Sequence, residues 1–291
     1  MLFIIIMDYA LRFAAGYGVK VSNKQLFDLD FGDDVVLLEE SKERLQQLLD
    51  TIIENAENVG LKINIDKLKS MAITTSPLVL HCKNKDLEQV QEFKYLGSWI
   101  DCDGEISTEI KRRIGQATGA FNRLKPIWRS NKYSMRLKLR LFNSNVLSIL
   151  LYASECWKIN TQLEKRILAF ENMSLRRMLN TSWQQKITNA EIRRKTGQPP
   201  VIELLKRRRW TYLGHVLRME ESRLPRTTYE WKPDGRRKRG RPKNALRRKY
   251  DRDLRTAGTS LIPEWEDGHR CSTNARRMER LFRRPMRHRW L

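Results

Sequence analysis

Two acids stand side by side in DLDFGDDVVLLEE, residues 28–40, and adjacent carboxylates at a tight turn suit one demanding chemistry. Nucleotidyl transfer by the two-metal route needs carboxylates that hold two divalent ions roughly 4 Å apart, one activating the attacking oxygen and the other steadying the leaving oxygen. Asp33 and Asp34 would supply part of such a cage. The same dipeptide also suits an ordinary solvated turn, because aspartate tolerates turn backbone for local reasons. Asp28 and Asp30 do not enlarge the cage, since alternation along a strand sends both to one face and neither arrives from an opposing strand.

A second set of residues suits polyanions. Lys206, Arg207, Arg208 and Arg209 form one basic run and Arg236 to Lys243 another; each could neutralise several phosphates. Trp210 and Tyr212 follow the first run and offer faces on which bases could stack. Trp210, Leu213, Val216 and Leu217 also read as the apolar stripe of a helix whose arginines solvate its back. Arg239-Gly240-Arg241-Pro242-Lys243 resembles the core of an AT-hook, whose flat Arg-Gly-Arg strip enters a narrow minor groove; a nuclear localisation patch or a plain linker has the same composition.

The charge supports this division. The chain of 291 residues carries a net +23, made of −4 over residues 1–100, +11 over 101–200 and +16 over 201–291. A mildly acidic head and an increasingly basic body point to RNA and DNA as partners, although ribosomal, chromatin and membrane-surface proteins share the composition. Cys82, Cys102, Cys156 and Cys271 show no C-x-x-C spacing, so neither zinc nor a disulfide framework is expected. The opening MLFIIIM lacks a basic flank and is interrupted by Asp8, so neither a signal peptide nor a transmembrane segment is expected; a nuclear or cytoplasmic location fits.

The elements that must position these groups follow from periodicity. Residues 2–15 predict a buried helix, and QLFDLDF and VVLLEE predict a hairpin around Gly32-Asp33-Asp34. Leu45, Leu48, Leu49, Ile52, Ile53 and Ala56 recur at helical intervals after Ser41 and run to Gly60. LKINID, KSMAITT and QEFKYLGSWID read as strands, with a turn at Asp101 to Gly104. Beyond Glu105 the texture becomes helical: Ile106, Ile110, Ile114, Ala117 and Phe121 mark one helix, and others are predicted over 133–151, 162–180, 188–196 and 200–219. An extended linker follows Pro225, with modest helices over 243–256 and 271–283. The remaining tail, with Trp265 and Trp290, shows no ligand pattern.

Taken in order, LFIIIMDYALR, DLDFGDDVVLL, GLKINIDKLKSM, FKYLGSWIDCDGEISTEIKRRI, LLYASECW, RRKTGQPPVIELLKRRRWTYLGHVLRM and RKRGRPK resemble the reverse transcriptases of non-LTR, LINE-like retrotransposons, RTE-like elements in particular, over most of residues 1–255. The resemblance implies an α+β fold. A partial polymerase palm of β-hairpins with one or two packed helices would occupy 1–104, a mostly α-helical thumb with connecting helices 105–224, and a basic, partly disordered extension 225–291. Phe31-Gly32-Asp33-Asp34 is similar to the family's F-A-D-D turn, with Gly32 in place of alanine; by similarity Asp33 binds the catalytic metal, Mg²⁺ or Mn²⁺, and Asp34 assists. Lys67 falls where the family has a lysine thought to protonate departing pyrophosphate, although Leu68 replaces the usual threonine. A surface lysine at a strand end has the same appearance. Phe93-Lys94-Tyr95-Leu96-Gly97 is similar to the primer grip, with Lys94 facing phosphate, while Phe93 and Tyr95 could equally be core.

The other carboxylate of the family's cage lies on an earlier strand, and neither it nor the fingers has a counterpart in these residues. The expectation is therefore a fragment of an RNA-directed DNA polymerase that binds nucleic acid and is inactive alone, taking deoxynucleoside triphosphates only if active. A non-enzymatic DNA- or RNA-binding protein derived from such an element is the alternative.

Overall fold

The computed structural model describes residues 2–12, 16–73, 78–83 and 85–231. Arg239, Gly240, Arg241 and Lys243, the tail's Cys271 and tryptophans, and the helices predicted over 243–256 and 271–283 lie outside the described residues. The chain divides into two compact units, one built on Met1–Glu105 and one on Ile106–Arg226.

The first unit opens with α1 (Leu2–Leu11), followed by an antiparallel hairpin of β1 (Val19–Val21) and β2 (Lys24–Leu26). A second hairpin joins β3 (Asp28–Phe31) to β4 (Asp34–Leu37). The sequence pattern read QLFDLDF as one strand, but the chain breaks at Phe27, where the carbonyl accepts from Leu38 N at 2.7 Å. Next comes α2 (Lys42–Asn58), capped by the Ser41 side chain and stopped by Gly60 at φ +79°. Its buried face, Leu48, Leu49, Ile52, Ile53 and Ala56, is the predicted stripe.

This α2 face serves two small cores. Leu48 and Ile52 pack with Leu11 of α1, with Phe27, Val35 and Leu37 against them. Leu49 and Ile53 pack with Leu80, Cys82 and Leu87. The expectation of a buried first helix needs correction, because only its inner side meets α2: Ala10 and Leu11 are buried, while Ile4 and Ile5 are 65% and 60% exposed.

LKINID is not a strand. Its alternation does turn Ile63 and Ile65 toward the α2 cluster. However, the Asn64 side chain accepts from Asp66 N at 3.1 Å, and this local bond winds Ile65–Lys67 into a 3₁₀ turn. Of KSMAITT, Lys69–Ser70 forms β5, which lies parallel to β8 (Glu88–Gln89). Between them, β6 (His81–Cys82) and β7 (Lys85–Asp86) make a short hairpin. The last hairpin joins β9 (Glu92–Tyr95) to β10 (Ser98–Asp101).

The second unit is helical: α3 (Ser107–Arg123), α4 (Lys125–Arg129), α5 (Met135–Phe142), a π turn at Asn143–Leu147, α6 (Ser148–Leu150), α7 (Thr161–Met178), α8 (Asn189–Thr196) and α9 (Val201–Arg218), with α10 (Leu224–Glu230) beginning at its end. Side chains of Ser134, Asn160 and Thr188 accept backbone N–H bonds at the starts of α5, α7 and α8, and Gly197 at φ +67° ends α8. One continuous core holds Ile110, Phe121, Trp128, Phe142, Leu150, Trp157, Ile167 and Leu175. Phe121 stacks on Trp128 at 5.1 Å and meets Phe142 edge-on at 6.2 Å.

Several charges enter this interior with partners. Glu109 and Arg113 pair at 2.6 Å on α3, with the Arg113 guanidinium 4.5 Å above the Tyr152 ring. Buried Lys138 donates to the Trp128 carbonyl at 2.7 Å. A buried charge without such bonds would be strongly destabilising, so these contacts fix helix positions as well as satisfying the charges. Among the described residues no helix is long and apolar enough to cross a membrane.

Candidate functional site

The register of β3 and β4 sets the chemistry available at the acid hairpin. Phe31 pairs with Asp34, leaving Gly32 and Asp33 as a two-residue loop, and Gly32 takes φ +67° as the first loop residue of a II′-type turn. Asp33 and Asp34 are both exposed at this tip, beside Phe31, which is 67% exposed. Directly opposed residues share a face, so Asp34 lies with Phe31, Leu29 and Val36. Asp28 and Asp30 lie on the other face with Leu37 and Val35, the side chains that pack toward α2. Burial there, aided by the neighbouring Asp30 charge, raises the Asp28 pKa from its ordinary value.

The β9–β10 hairpin contacts this one. Its loop is Leu96-Gly97, both at positive φ (+47° and +81°), as a I′-type turn requires. The Tyr95 hydroxyl donates to the Leu29 carbonyl at 3.2 Å. Partial burial first, then the charges of Asp30, Asp34 and Asp28, push the Tyr95 phenol above its ordinary pKa, so it stays a neutral donor. Phe93 shares the Tyr95 face opposite Ile100, whereas Lys94 sits across from Trp99 on the other face and is exposed. Two stretches that sequence reading treated separately are therefore joined, Asp33-Asp34 and Phe93-Lys94-Tyr95-Leu96-Gly97. Lys67 is exposed at the end of its 3₁₀ turn, on a different segment of the unit.

The metal-binding capacity of the acid tip is limited. Two carboxylates from one turn do not make a cage for two ions, and Mg²⁺ requires octahedral oxygen coordination. Among the described residues, three ligand atoms of the His, Cys, Asp and Glu type gather within 4.8 Å only at Asp101, Cys102 and Asp103. That group sits in the turn after β10, where the Asp101 carboxylate accepts from Asp103 N at 2.9 Å, so the clustering has a local backbone cause. Sequence reading placed a turn there and missed the cluster, although the D-C-D spelling was a visible signal.

The basic run on α9 divides by burial. Arg207 is exposed, and Lys206 and Arg208 are half-buried. The Arg208 guanidinium donates to the Leu151 carbonyl at 2.8 Å and lies 3.9 Å from Glu155. Arg209 requires correction as a nucleic-acid contact: it is 1% exposed, and its guanidinium donates to the Trp157 carbonyl inside the core. Trp210, Leu213, Val216 and Leu217 are buried together, as the apolar-stripe reading has it, while Tyr212 on the outer face is 39% exposed.

The acid hairpin lies within a stretch that matches a known family. Residues 1–100 match the reverse transcriptase (RNA-dependent DNA polymerase) family, and residues 120–152 match a domain of unknown function, DUF6451. The chain is 28% identical, over 228 residues, to an uncharacterised transposon-derived protein of Caenorhabditis elegans, an alignment covering 74% of this chain and 80% of that one. It is 32% identical over 127 residues to the retrovirus-related Pol polyprotein of the type-2 retrotransposable element R2DM of Drosophila melanogaster, covering 39% of this chain and 12% of the polyprotein. No solved structure matches. Residues 1–100 are thus similar to the reverse transcriptase class, in a chain of mixed helices and small sheets. The family match and both relatives support a fragment of a non-LTR retrotransposon reverse transcriptase.

Proposed function

We propose that residues 1–104 are the later part of a reverse transcriptase palm, 105–224 a helical thumb with connecting helices, and 225–291 a basic extension, and that together they bind RNA and DNA. The carrying observation is the Tyr95–Leu29 bond, which seats the Phe93–Gly97 hairpin beside the Asp33-Asp34 tip. A primer end held by one hairpin would then lie near the acids of the other. Exposed Lys94 and Lys67 supply counter-charge for phosphate, and Asp33 with Asp34 is the part of a Mg²⁺ or Mn²⁺ site that these residues offer.

Nucleotidyl transfer by residues 1–291 alone is not expected. The hairpin register turns Asp28 and Asp30 away from Asp34, and among the described residues no third ligand-type side chain gathers with Asp33 and Asp34. Deoxynucleoside triphosphates are substrates only if another polypeptide segment provides it. The strongly positive helical unit also favours a second reading, a non-enzymatic nucleic-acid-binding protein derived from such an element.

Primer extension on an RNA template with Mg²⁺ or Mn²⁺ separates these readings from a working polymerase. The parent chain and Asp33→Asn should both bind the primer–template with equal affinity, and neither should extend it. Product made by the parent and lost in Asp33→Asn would show that the cage is complete.

A further inference from the structure

The helical unit contains an open cleft of about 880 Å³ that neither hairpin of the acid site uses. One wall is the end of α5 with the π turn that follows, and the other is the face of α9 from Leu204 to His215. Leu147 and Leu151, 3% and 2% exposed, give it an apolar floor. Arg140, Arg207 and Arg208 stand on its rim, and Tyr212 shows an exposed ring one helical turn beyond Arg208. Glu155 is the acid on the wall, 3.9 Å from Arg208, which leaves the rim with a net positive charge.

These components suit an unpaired nucleotide better than a duplex. A flat base fits an apolar floor with an aromatic neighbour, and guanidinium groups along the rim meet the phosphates on either side. A duplex hides its base faces and would meet only the rim.

The π turn at Asn143–Leu147 is an independent sign that this wall is built for a ligand, because such turns are uncommon and concentrate at functional sites. It sets Asn143 against Gln198, which is 4% exposed, with reciprocal amide contacts of 2.9 and 3.5 Å. The loop leading into α9 is thereby tied to the cleft wall, which Ser144 beside Asn143 also lines.

We propose that this cleft binds single-stranded nucleic acid, seating one base on Leu147 and Leu151 against Tyr212, with the adjoining phosphates on Arg140 and Arg207. The proposal rests on the nucleic-acid-binding reading above and adds the place and the strandedness.

The test uses the full chain, with fluorescence anisotropy of a labelled oligonucleotide of about twelve residues, single-stranded or as its duplex, at low and high salt. Tyr212→Leu should weaken single-strand binding about tenfold at both salts, while duplex binding changes by less than about twofold. Tyr212→Phe keeps the ring and should match the parent. Arg140→Gln should lower the salt slope by about one phosphate contact. The cleft assignment is overturned if Tyr212→Leu binds the strand as the parent does, if it loses strand and duplex equally, or if a mononucleotide competes as well as the strand. Absence of any binding by the parent at low salt would instead overturn the nucleic-acid reading itself.

Discussion

At the scale of residues, placement set by sequence neighbours was legible and placement that depends on burial was not. Asp33-Asp34 could be singled out because a dipeptide in a turn carries its geometry with it. Arg209 could not be separated from Arg207 and Arg208, since its role depends on the carbonyl of Trp157, 52 residues away in sequence. Glu171 gave no sequence signal either. It sits at 0% exposure on α7 beneath Arg193, whose guanidinium donates to it at 3.1 Å. Burial raises its pKa to about 6, only partly offset by the Val201 N–H and the Arg193 charge. Between the unfolded value of 4.5 and about 6, the folded chain holds a proton that the unfolded chain has released. The resulting stability is therefore complete below 4.5 and is lost as pH rises through about 6. Glu171→Gln does not titrate, so its stability relative to the parent should improve by about 2 kcal/mol across that window and stay level above it. Urea midpoints between those limits and neutral pH read the difference directly; a pH-independent gap would contradict the burial argument.

At the scale of elements, helices with a 3.6-residue stripe and a side-chain cap were legible from end to end, as α2, α7 and α8 show. Local competition escaped the pattern. LKINID alternates as a strand should, yet Asn64 bonds to the backbone two residues on and winds the segment, and α5 passes into a π turn that no periodicity announced. The acid hairpin is an element whose loop has one demanding position. Gly32 holds φ +67° with nothing within 4 Å of where a Cβ would lie, so alanine there meets backbone strain and no clash. Gly32→Ala should cost about 1 kcal/mol, felt mainly in the hairpin. Hydrogen exchange across residues 28–37 should then quicken about fivefold relative to α2. The resembled motif carries alanine at this position, so unchanged exchange would mean that the turn accepts another type without loss.

At the scale of the whole molecule, the two units differ in how they are held together. The first has two small cores divided between the sides of α2, and short two-stranded sheets that each need neighbours for stability. Among the described residues, the second has a large core running from Ile110 to Leu205, drawn from a single continuous stretch of chain, with Glu109–Arg113 and Glu171–Arg193 paired inside the same stretch. A contiguous segment that closes its own core meets the physical requirement for folding alone. Residues 106–226 expressed without the rest should therefore unfold in one cooperative thermal transition, with calorimetric and van't Hoff enthalpies in agreement. Residues 1–105 alone should melt over a broader range and bind a hydrophobic dye, since Ile4 and Ile5 of α1 are open to solvent. A broad transition in the helical fragment would mean that its core depends on the first unit; a sharp one would show that the cleft on α9 can be studied apart from the acid hairpin.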